Sequence, residues 1–435
     1  MKATIFTLGC KVNQYETQAL EQELLRRGHT LVPFAPGADL YIINTCTVTA
    51  VSDKKSRGVI RRARRENPAA VVGVCGCYAQ TKPEEVEALG VDVVSGTKDR
   101  MAFLDELETL ALRRAQGGGR RVMVENIMAC RTFERLRAGG LEGRTRAMLK
   151  VEDGCVNFCS YCIIPYARGP VRSMPLEEAA AEAARLAAEG YREIVLTGIE
   201  ISSWGRDLPG RPGLAELIKA VCAAAPELRL RLGSLEPRTI TQEFCRAVAG
   251  LPNLCPHFHL SLQSGCDATL RAMNRKYDTA RYYESVALLR RYFDAPAITT
   301  DLIVGFPGES EENFAATLDF IRRCAFSSMH IFPYSRRTGT PAAQMDGQVS
   351  RSVKEERAHR AAQVAGEMEK AYLDALVGKT LSVLFEEGEG GLSRGHAPNY
   401  VEVVIPSEKP LHNVLLPVRI TAAQEGRLLG EAAAD

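Results

Sequence analysis

The chain has 435 residues, is 46% hydrophobic and 25% charged, and carries a formal net charge of +2. That length exceeds one ordinary core and predicts two or three domains, while the composition excludes a disordered chain. The near-neutral total gives no sign of a polyanionic partner, but the charge is unevenly spread.

The N-terminus, "MKATIFTLGCKVNQ", has an apolar run only from Ala3 to Leu8, too short for a signal-peptide core. No run approaches the roughly 18–20 apolar residues of a membrane span. A cytoplasmic protein without a membrane partner is expected, its 13 cysteines reduced. Continuous apolar runs at Ala3–Cys10, Asp39–Cys46, Ala70–Cys77 and Val91–Gly96 predict strands buried on both faces of a parallel sheet. Helical segments at 13–27, 52–66, 82–89 and 99–114 separate them, giving a small α/β domain over 1–116. "RRAQGGGRR" then reads as a hinge opening a basic linker, 117–145. From Arg113 to Lys150 there are ten Lys/Arg against three Glu, with one strand-like piece, "RVMVEN".

A longer alternation follows over 146–371. Strands are predicted at Ala147–Gly154, Glu193–Gly198, Arg229–Glu236, His257–Ser264, Ala297–Pro307 and Ser328–Ser335. Helical runs such as 175–189 and 279–292 lie between them. Six strand–helix units predict a partial parallel (β/α)6 barrel with its chemistry in the loops after the strands. A charged helix from Ser350 to about Leu376 leads to short alternating strands and Gly-rich turns, a small β-barrel over 372–435. The fold class is therefore α/β with a small β-barrel at the C-terminus.

Directly after the first barrel strand stands "GCVNFCSYCIIPYARG", with Cys155, Cys159 and Cys162 inside eight residues. Coincidental burial of free thiols fits this spacing poorly. Structural zinc takes four ligands, and no fourth Cys or His adjoins; His257 and His259 belong to a later strand. Three thiolates on a four-iron cluster leave one iron open, which points to a reactive cluster. Cys10, Cys46 and Cys77 each end an apolar strand of the first domain. The carboxyl ends of parallel strands meet at one sheet edge, so these three favour a second three-thiolate site over chance placement. Cys75 faces away from Cys77 by strand alternation and reads as core. Cys130, Cys222, Cys245, Cys255, Cys266 and Cys324 read as packing residues.

The C-x3-C-x2-C spacing with Tyr161 before the last cysteine resembles the radical S-adenosylmethionine superfamily. That resemblance implies that the open iron is chelated by the methionine part of the cofactor. One electron then breaks the sulfonium bond to give a 5′-deoxyadenosyl radical, and Tyr161 packs near the adenine. With "TLGCKVNQYET", "HFHLSLQSG", "DLIVGFPGE" and "HIFPYSRRTGTPAA", essentially the whole chain is similar to the methylthiotransferases. These join an auxiliary-cluster domain, a radical barrel and a C-terminal TRAM barrel. The wording is closest to the tRNA threonylcarbamoyladenosine (t6A) branch.

The resemblance implies two [4Fe-4S] clusters, one on Cys155, Cys159 and Cys162 and an auxiliary one on Cys10, Cys46 and Cys77. It implies a cofactor pocket from Thr197, Gly198, Glu200, Ser234, Glu236, Ser261, Gln263, Asp301 and Gly305. Relatives often carry Asn or His near Glu200. Arg168 and Arg172, in "YARGPVRS", are substrate or cofactor contacts or, equally, surface charge. For a polynucleotide, Asp53–Glu66 holds seven Lys/Arg against two acidic residues on one predicted helix, beside the basic linker. The final domain is acidic: from Tyr372 to Asp435 there are five Lys/Arg against nine Asp/Glu. Any grip there rests on groups such as Arg394, His396, Asn399 and Tyr400.

The reading is a tRNA methylthiotransferase that converts t6A beside the anticodon into its 2-methylthio derivative. Its partners are the tRNA anticodon stem-loop, an electron donor such as flavodoxin or ferredoxin, and a sulfur source. The alternatives are the same chemistry on isopentenyladenosine tRNA or a ribosomal-protein aspartate, or a non-catalytic RNA-binding metalloprotein.

Overall fold

A computed structural model describes residues 1–113, 119–139 and 144–433; Gly117 and Gly118 of the predicted hinge lie outside the described residues. The first sheet is parallel throughout, in the order β2-β1-β3-β4-β5-β6. Its strands are β1 (Lys2–Thr7), β2 (Thr30–Leu31), β3 (Leu40–Thr45), β4 (Val71–Gly76), β5 (Val93–Ser95) and β6 (Arg121–Met123). Strands β3 and β4 are buried at every position, as their unbroken apolar runs predict. Alternate residues divide between two cores: Tyr41, Ile43, Val72 and Val74 on one face, Leu40, Ile42, Val71 and Cys75 on the other. Cys75 is thus core, as alternation predicts. The two-residue β2 carries too little pattern to be legible in the sequence. Strand β6 comes from the "RVMVEN" piece of the basic linker, so that part of the connector is built into the sheet edge.

The barrel strands are β7 (Arg146–Lys150), β8 (Glu152–Asp153), β9 (Arg172–Ser173), β10 (Glu193–Thr197), β11 (Arg229–Leu232), β12 (Ser234–Leu235), β13 (His257–Leu260), β14 (Ala297–Val304) and β15 (Ser328–Pro333). All but β8 and β9 form two parallel sheets, β11-β10-β7 and β12-β13-β14-β15. Strands β11 and β12 are one predicted strand interrupted at Gly233, whose N–H donates to the Leu196 carbonyl at 2.8 Å. All six predicted barrel strands are therefore present. Outward side chains such as Leu149, Leu196, Leu230, Phe258 and Leu302 form one continuous core with the helices. The short antiparallel pair β8–β9 pinches off residues 154–171 as a closed excursion from the barrel's C-terminal end.

The helix Arg351–Asp374 leads to a closed five-stranded barrel: β16 (Thr380–Glu389), β17 (Leu392–His396), β18 (Glu402–Pro406), β19 (Val414–Gln424) and β20 (Arg427–Ala432). It docks on the starts of the parallel strands. Arg231 donates to the Pro398 carbonyl at 2.8 Å and lies 4.6 Å over the Tyr400 ring, with Arg146 5.1 Å over the same ring. Among the described residues no helix is long and apolar enough to cross a membrane.

Candidate active site

The closed excursion carries the three barrel cysteines. Cys155 N–H donates to the Gly169 carbonyl at 3.0 Å, and Ser160 ties the turn to the Met273 and Ala272 carbonyls at 3.0 and 2.8 Å. Gly154 sits at φ +95°, where an added Cβ would lie 2.0 Å from the Pro170 carbonyl oxygen, so glycine alone fits. Phe158, just before Cys159, adopts φ 46°, a left-handed conformation that costs energy and is held by its surroundings. One group that sequence reasoning missed completes the loop. Arg275 donates from Nη1 to Cys159 Sγ at 3.3 Å, from Nη2 to the Ser261 carbonyl at 3.2 Å and from Nε to the Tyr277 hydroxyl at 2.9 Å. Burial pushes the Cys155 thiol well up and the Cys162 thiol up to about 12, the latter with help from Cys159. Without metal these sulfurs are protonated, and ligation releases the protons.

The cofactor-pocket expectations sort by position. Tyr161, half-buried, packs against Met273, Phe306, Tyr334 and Ala342. Thr197 ends β10 and Gly198 follows it; a Cβ on Gly198 would lie 2.7 Å from Glu152 Oε2. Glu200 is half-buried, and its carboxylate accepts from Ser202 N–H at 3.0 Å and the Ser203 hydroxyl at 2.5 Å, capping the short helix Ile201–Ser203. Burial raises its carboxyl, with Glu236 adding repulsion. Glu236 is buried in a bidentate pair with Arg238, at 2.8 and 2.9 Å. Ser234 is exposed at the start of β12. The Ser261 carbonyl receives Arg275, and Gln263 holds φ 68°, bridging to β14 through backbone bonds with Asp301 and Ile303 at 2.9 Å. Asp301 lies 3.3 Å from His259 Nε2. Gly305 N–H is taken by Glu309 at 2.6 Å, which anchors it to the following turn.

The second trio stands at the carboxyl edge of the first sheet. Cys10 stands at the N-cap position of the helix Lys11–Arg26 after β1, Cys46 follows β3, and Cys77 opens the short helix Cys77–Thr81 after β4. Each predicted strand stops just short of its cysteine, leaving the thiols on the segments that follow. Gly9 (φ +118°) lets the chain pass Cys46, whose Cβ would stand 3.0 Å from an added methyl. Gly76 (φ +94°) has backbone and Asn44 atoms within 2.8 Å of that position. Burial lifts the Cys77 thiol to about 12 against the pull of Arg168, while Cys10 and Cys46 add negative charge beside it.

Arg168 joins the two trios. It lies six residues beyond Cys162, is fully buried, and donates from Nε to Cys77 Sγ at 3.2 Å. Its other nitrogens reach Asn13 Oδ1 at 2.7 Å, Glu16 Oε1 at 2.5 Å and Asp153 Oδ2 at 3.3 Å. Arg172 is also buried, bonded to the Arg168 and Pro170 carbonyls. Surface charge, one of the two readings the sequence allowed for these arginines, is thereby excluded. A second bridge runs from Arg337 to Asp53 at 2.5 and 3.0 Å, beside Thr47 and so beside Cys46. The cysteine edge of the first sheet is thus held against the barrel's cysteine loop.

Do these residues fit iron–sulfur clusters? Among the described residues no three His, Cys, Asp or Glu are gathered as for a single metal ion. A four-iron cluster takes its thiolates on different irons, so its cysteines surround a volume and not a point. Both trios offer only sulfur, follow strands where glycines bring the chain close, and receive an arginine on one thiol, Arg168 fully buried and Arg275 half-buried. That donor set fits an anionic cluster.

Residues 149–321 match the Radical SAM superfamily, and residues 2–96 match a family described as uncharacterized protein family UPF0004. A threonylcarbamoyladenosine tRNA methylthiotransferase of Bacillus subtilis is 41% identical over 424 residues, 96% of this chain and 93% of that protein. The chain belongs to the radical S-adenosylmethionine methylthiotransferases. It is therefore an enzyme, of a superfamily that works with S-adenosylmethionine and a [4Fe-4S] cluster. A tRNA-2-methylthio-N(6)-dimethylallyladenosine synthase of Symbiobacterium thermophilum is 33% identical over 98% of this chain and 93% of its own length. Among solved structures, a radical S-adenosylmethionine methyltransferase, TsrM, of Kitasatospora setae aligns with TM-score 0.58 at 17% identity, covering 84% of this chain and 89% of that one. That likeness bears on the fold alone.

Proposed function

We propose that this enzyme is a tRNA methylthiotransferase that replaces the C2 hydrogen of N6-threonylcarbamoyladenosine, beside the anticodon, with a methylthio group. The observation that carries the reading is the pair of three-cysteine sites pressed together through the Arg168–Cys77 contact. The specific nucleoside is supported by the Bacillus subtilis and Thermotoga maritima relatives of that name, at 41% and 38% identity.

In this reading Cys155, Cys159 and Cys162 hold a [4Fe-4S] cluster and Cys10, Cys46 and Cys77 hold a second. S-adenosylmethionine bound at a cluster with an open iron supplies one-electron chemistry able to open an unactivated C–H bond, which acid–base groups do poorly. The protein's part is placement. Arg275 and Arg168 each fix one ligand thiol. Glu200, half-buried on the Cys155 side, and Glu236, paired with Arg238, place carboxylates at the pocket suited to the cofactor's ammonium group, and Tyr161 supplies an aromatic wall for its adenine. Thr197, Gly198, Ser234, Ser261, Gln263, Asp301 and Gly305 complete that pocket from the strand ends.

Lys54, Lys55, Arg61, Arg62 and Arg65 are exposed on the helix Ala50–Glu66 beside Cys46 and form a track for tRNA phosphates. The enzyme works in the cytoplasm, with a flavodoxin- or ferredoxin-like electron donor and an external sulfur source. The test is mass spectrometry of tRNA nucleosides from cells lacking the protein. Loss of 2-methylthio-t6A, restored by the intact chain and not by Cys155→Ala, is expected. Loss of the methylthio isopentenyl nucleoside instead, with the t6A species intact, overturns the substrate assignment.

A further inference from the structure

Around Arg168 the buried charges do not balance. Arg100, Lys150, Arg168 and Arg172 are tied directly to three carboxylates, Glu16, Asp153 and Glu134. Glu16 alone receives Arg100 at 2.6 Å, Lys150 at 3.0 Å and Arg168 at 2.5 Å, and all four of these groups are essentially inaccessible. Four cations meet three ion-paired carboxylates; Glu152, also fully buried beside them, makes no ion pair among the described residues and burial pushes its carboxyl well up, so no fourth anion is paired with these cations in a low-dielectric interior, where that is costly. The group standing at the open end of the network is the Cys77 sulfur, 3.2 Å from Arg168 Nε. A thiolate there, bearing part of a cluster's negative charge, is the missing anion.

Resting on the second-cluster reading above, we infer that Arg168, carried on the barrel's own cysteine loop, is a positioning residue for the auxiliary site that raises its reduction potential through the N–H···S bond to Cys77. Reduction adds one electron and no bond changes, so negative charge on the thiolate grows. A fixed guanidinium donor then stabilises the reduced form more than the oxidised one.

The experiment isolates the auxiliary site in the full chain carrying Cys155→Ala, Cys159→Ala and Cys162→Ala, reconstituted without oxygen and titrated with dithionite, which supplies the electron. The midpoint is read by electron paramagnetic resonance, with Arg168 intact or changed to Gln or Lys. Arg168→Gln is expected to lower the reduced-to-oxidised ratio at a fixed potential about tenfold, about 59 mV for a one-electron couple. Arg168→Lys keeps a buried cation beside Glu16 and Asp153 but loses the planar fork. It is expected to fall between, and it decides the matter if the Gln variant does not fold. Iron uptake with a midpoint unmoved in both variants, or in the Lys variant alone where Gln does not fold, overturns the inference and leaves the second cluster standing. Failure of the triple-Ala chain with Arg168 intact to take up iron overturns the second cluster, and this inference with it.

Discussion

Glu16 shows how one residue ties chemistry to stability. Burial alone pushes its carboxyl up, but Arg100, Arg168 and Lys150 overcome that and hold it down at about 2, from 4.5. A depressed carboxyl contributes stability that is complete above about pH 4.5 and lost as pH falls toward 2. The loss is on the order of 3 kcal/mol. Glu16→Gln removes that acid-sensitive component, so its stability is expected to vary less between pH 4.5 and 2 than the parent's, as denaturant titrations at each pH will measure. The same change leaves buried cations uncompensated and costs about 3–5 kcal/mol at neutral pH. Arg275→Met, on the barrel side, leaves the Ser261 carbonyl and the Tyr277 hydroxyl without that donor. It is expected to cost about 1.5–3 kcal/mol by chemical denaturation. The six cysteines proposed as cluster ligands stood out in the sequence through residue type, spacing and strand-end position, and the structure places them on segments that follow strands. Arg275 and the true surroundings of Arg168 were not legible there. Their partners lie 116 and 91 residues away, and a lone arginine has no pattern that says what it will touch.

At the scale of elements, the helix Ala50–Glu66 does two jobs on two faces. Asp53, Ser56, Ile60 and Ala63 face inward, and Asp53 takes the buried Arg337 in a bidentate pair. The run of Lys and Arg faces out. Asp53→Asn strands the Arg337 charge and is expected to cost about 3–5 kcal/mol, seen as a lower denaturation midpoint and faster proteolysis between the first sheet and the barrel. Lys54→Glu with Arg61→Glu leaves that pair intact. It is expected to weaken tRNA binding and flatten its salt dependence by about one unit of slope per lost phosphate contact. The helix's basic character was readable from composition. The burial of Asp53 was not, because it depends on a loop 284 residues later. The strands followed the sequence closely wherever apolar runs were unbroken. They departed from it at Thr30–Leu31, where two residues carry no periodicity, while the strand-like piece of the basic linker is the edge strand Arg121–Met123.

For the molecule as a whole, three units share two seams. One seam presses the cysteine edge of the first sheet onto the barrel loop; the other sets the C-terminal barrel against the opposite ends of the parallel strands. Tyr400, stacked on His396 at 4.9 Å and covered by Arg146 and Arg231, is the centre of the second seam. Tyr400→Ala is expected to remove about 1–2 kcal/mol of docking energy, measured as an earlier separate unfolding transition of the C-terminal barrel. His396, Asn399 and Tyr400, singled out in the sequence as groups to grip RNA, are largely committed to this seam and its surroundings, while Arg394 stays exposed. The order of the three units was legible, since each has its own period of strands and helices. Their docking was not, because it rests on charged side chains whose pairing no local pattern encodes. The central claim is that the chain carries two clusters on six named cysteines. It is tested most directly by iron and acid-labile sulfide analysis, with Mössbauer spectra, of the full chain reconstituted without oxygen. The account predicts roughly eight irons per chain, and roughly four after alanine replacement of either cysteine trio. Four irons in the intact chain, unchanged when Cys10, Cys46 and Cys77 are replaced, would contradict it.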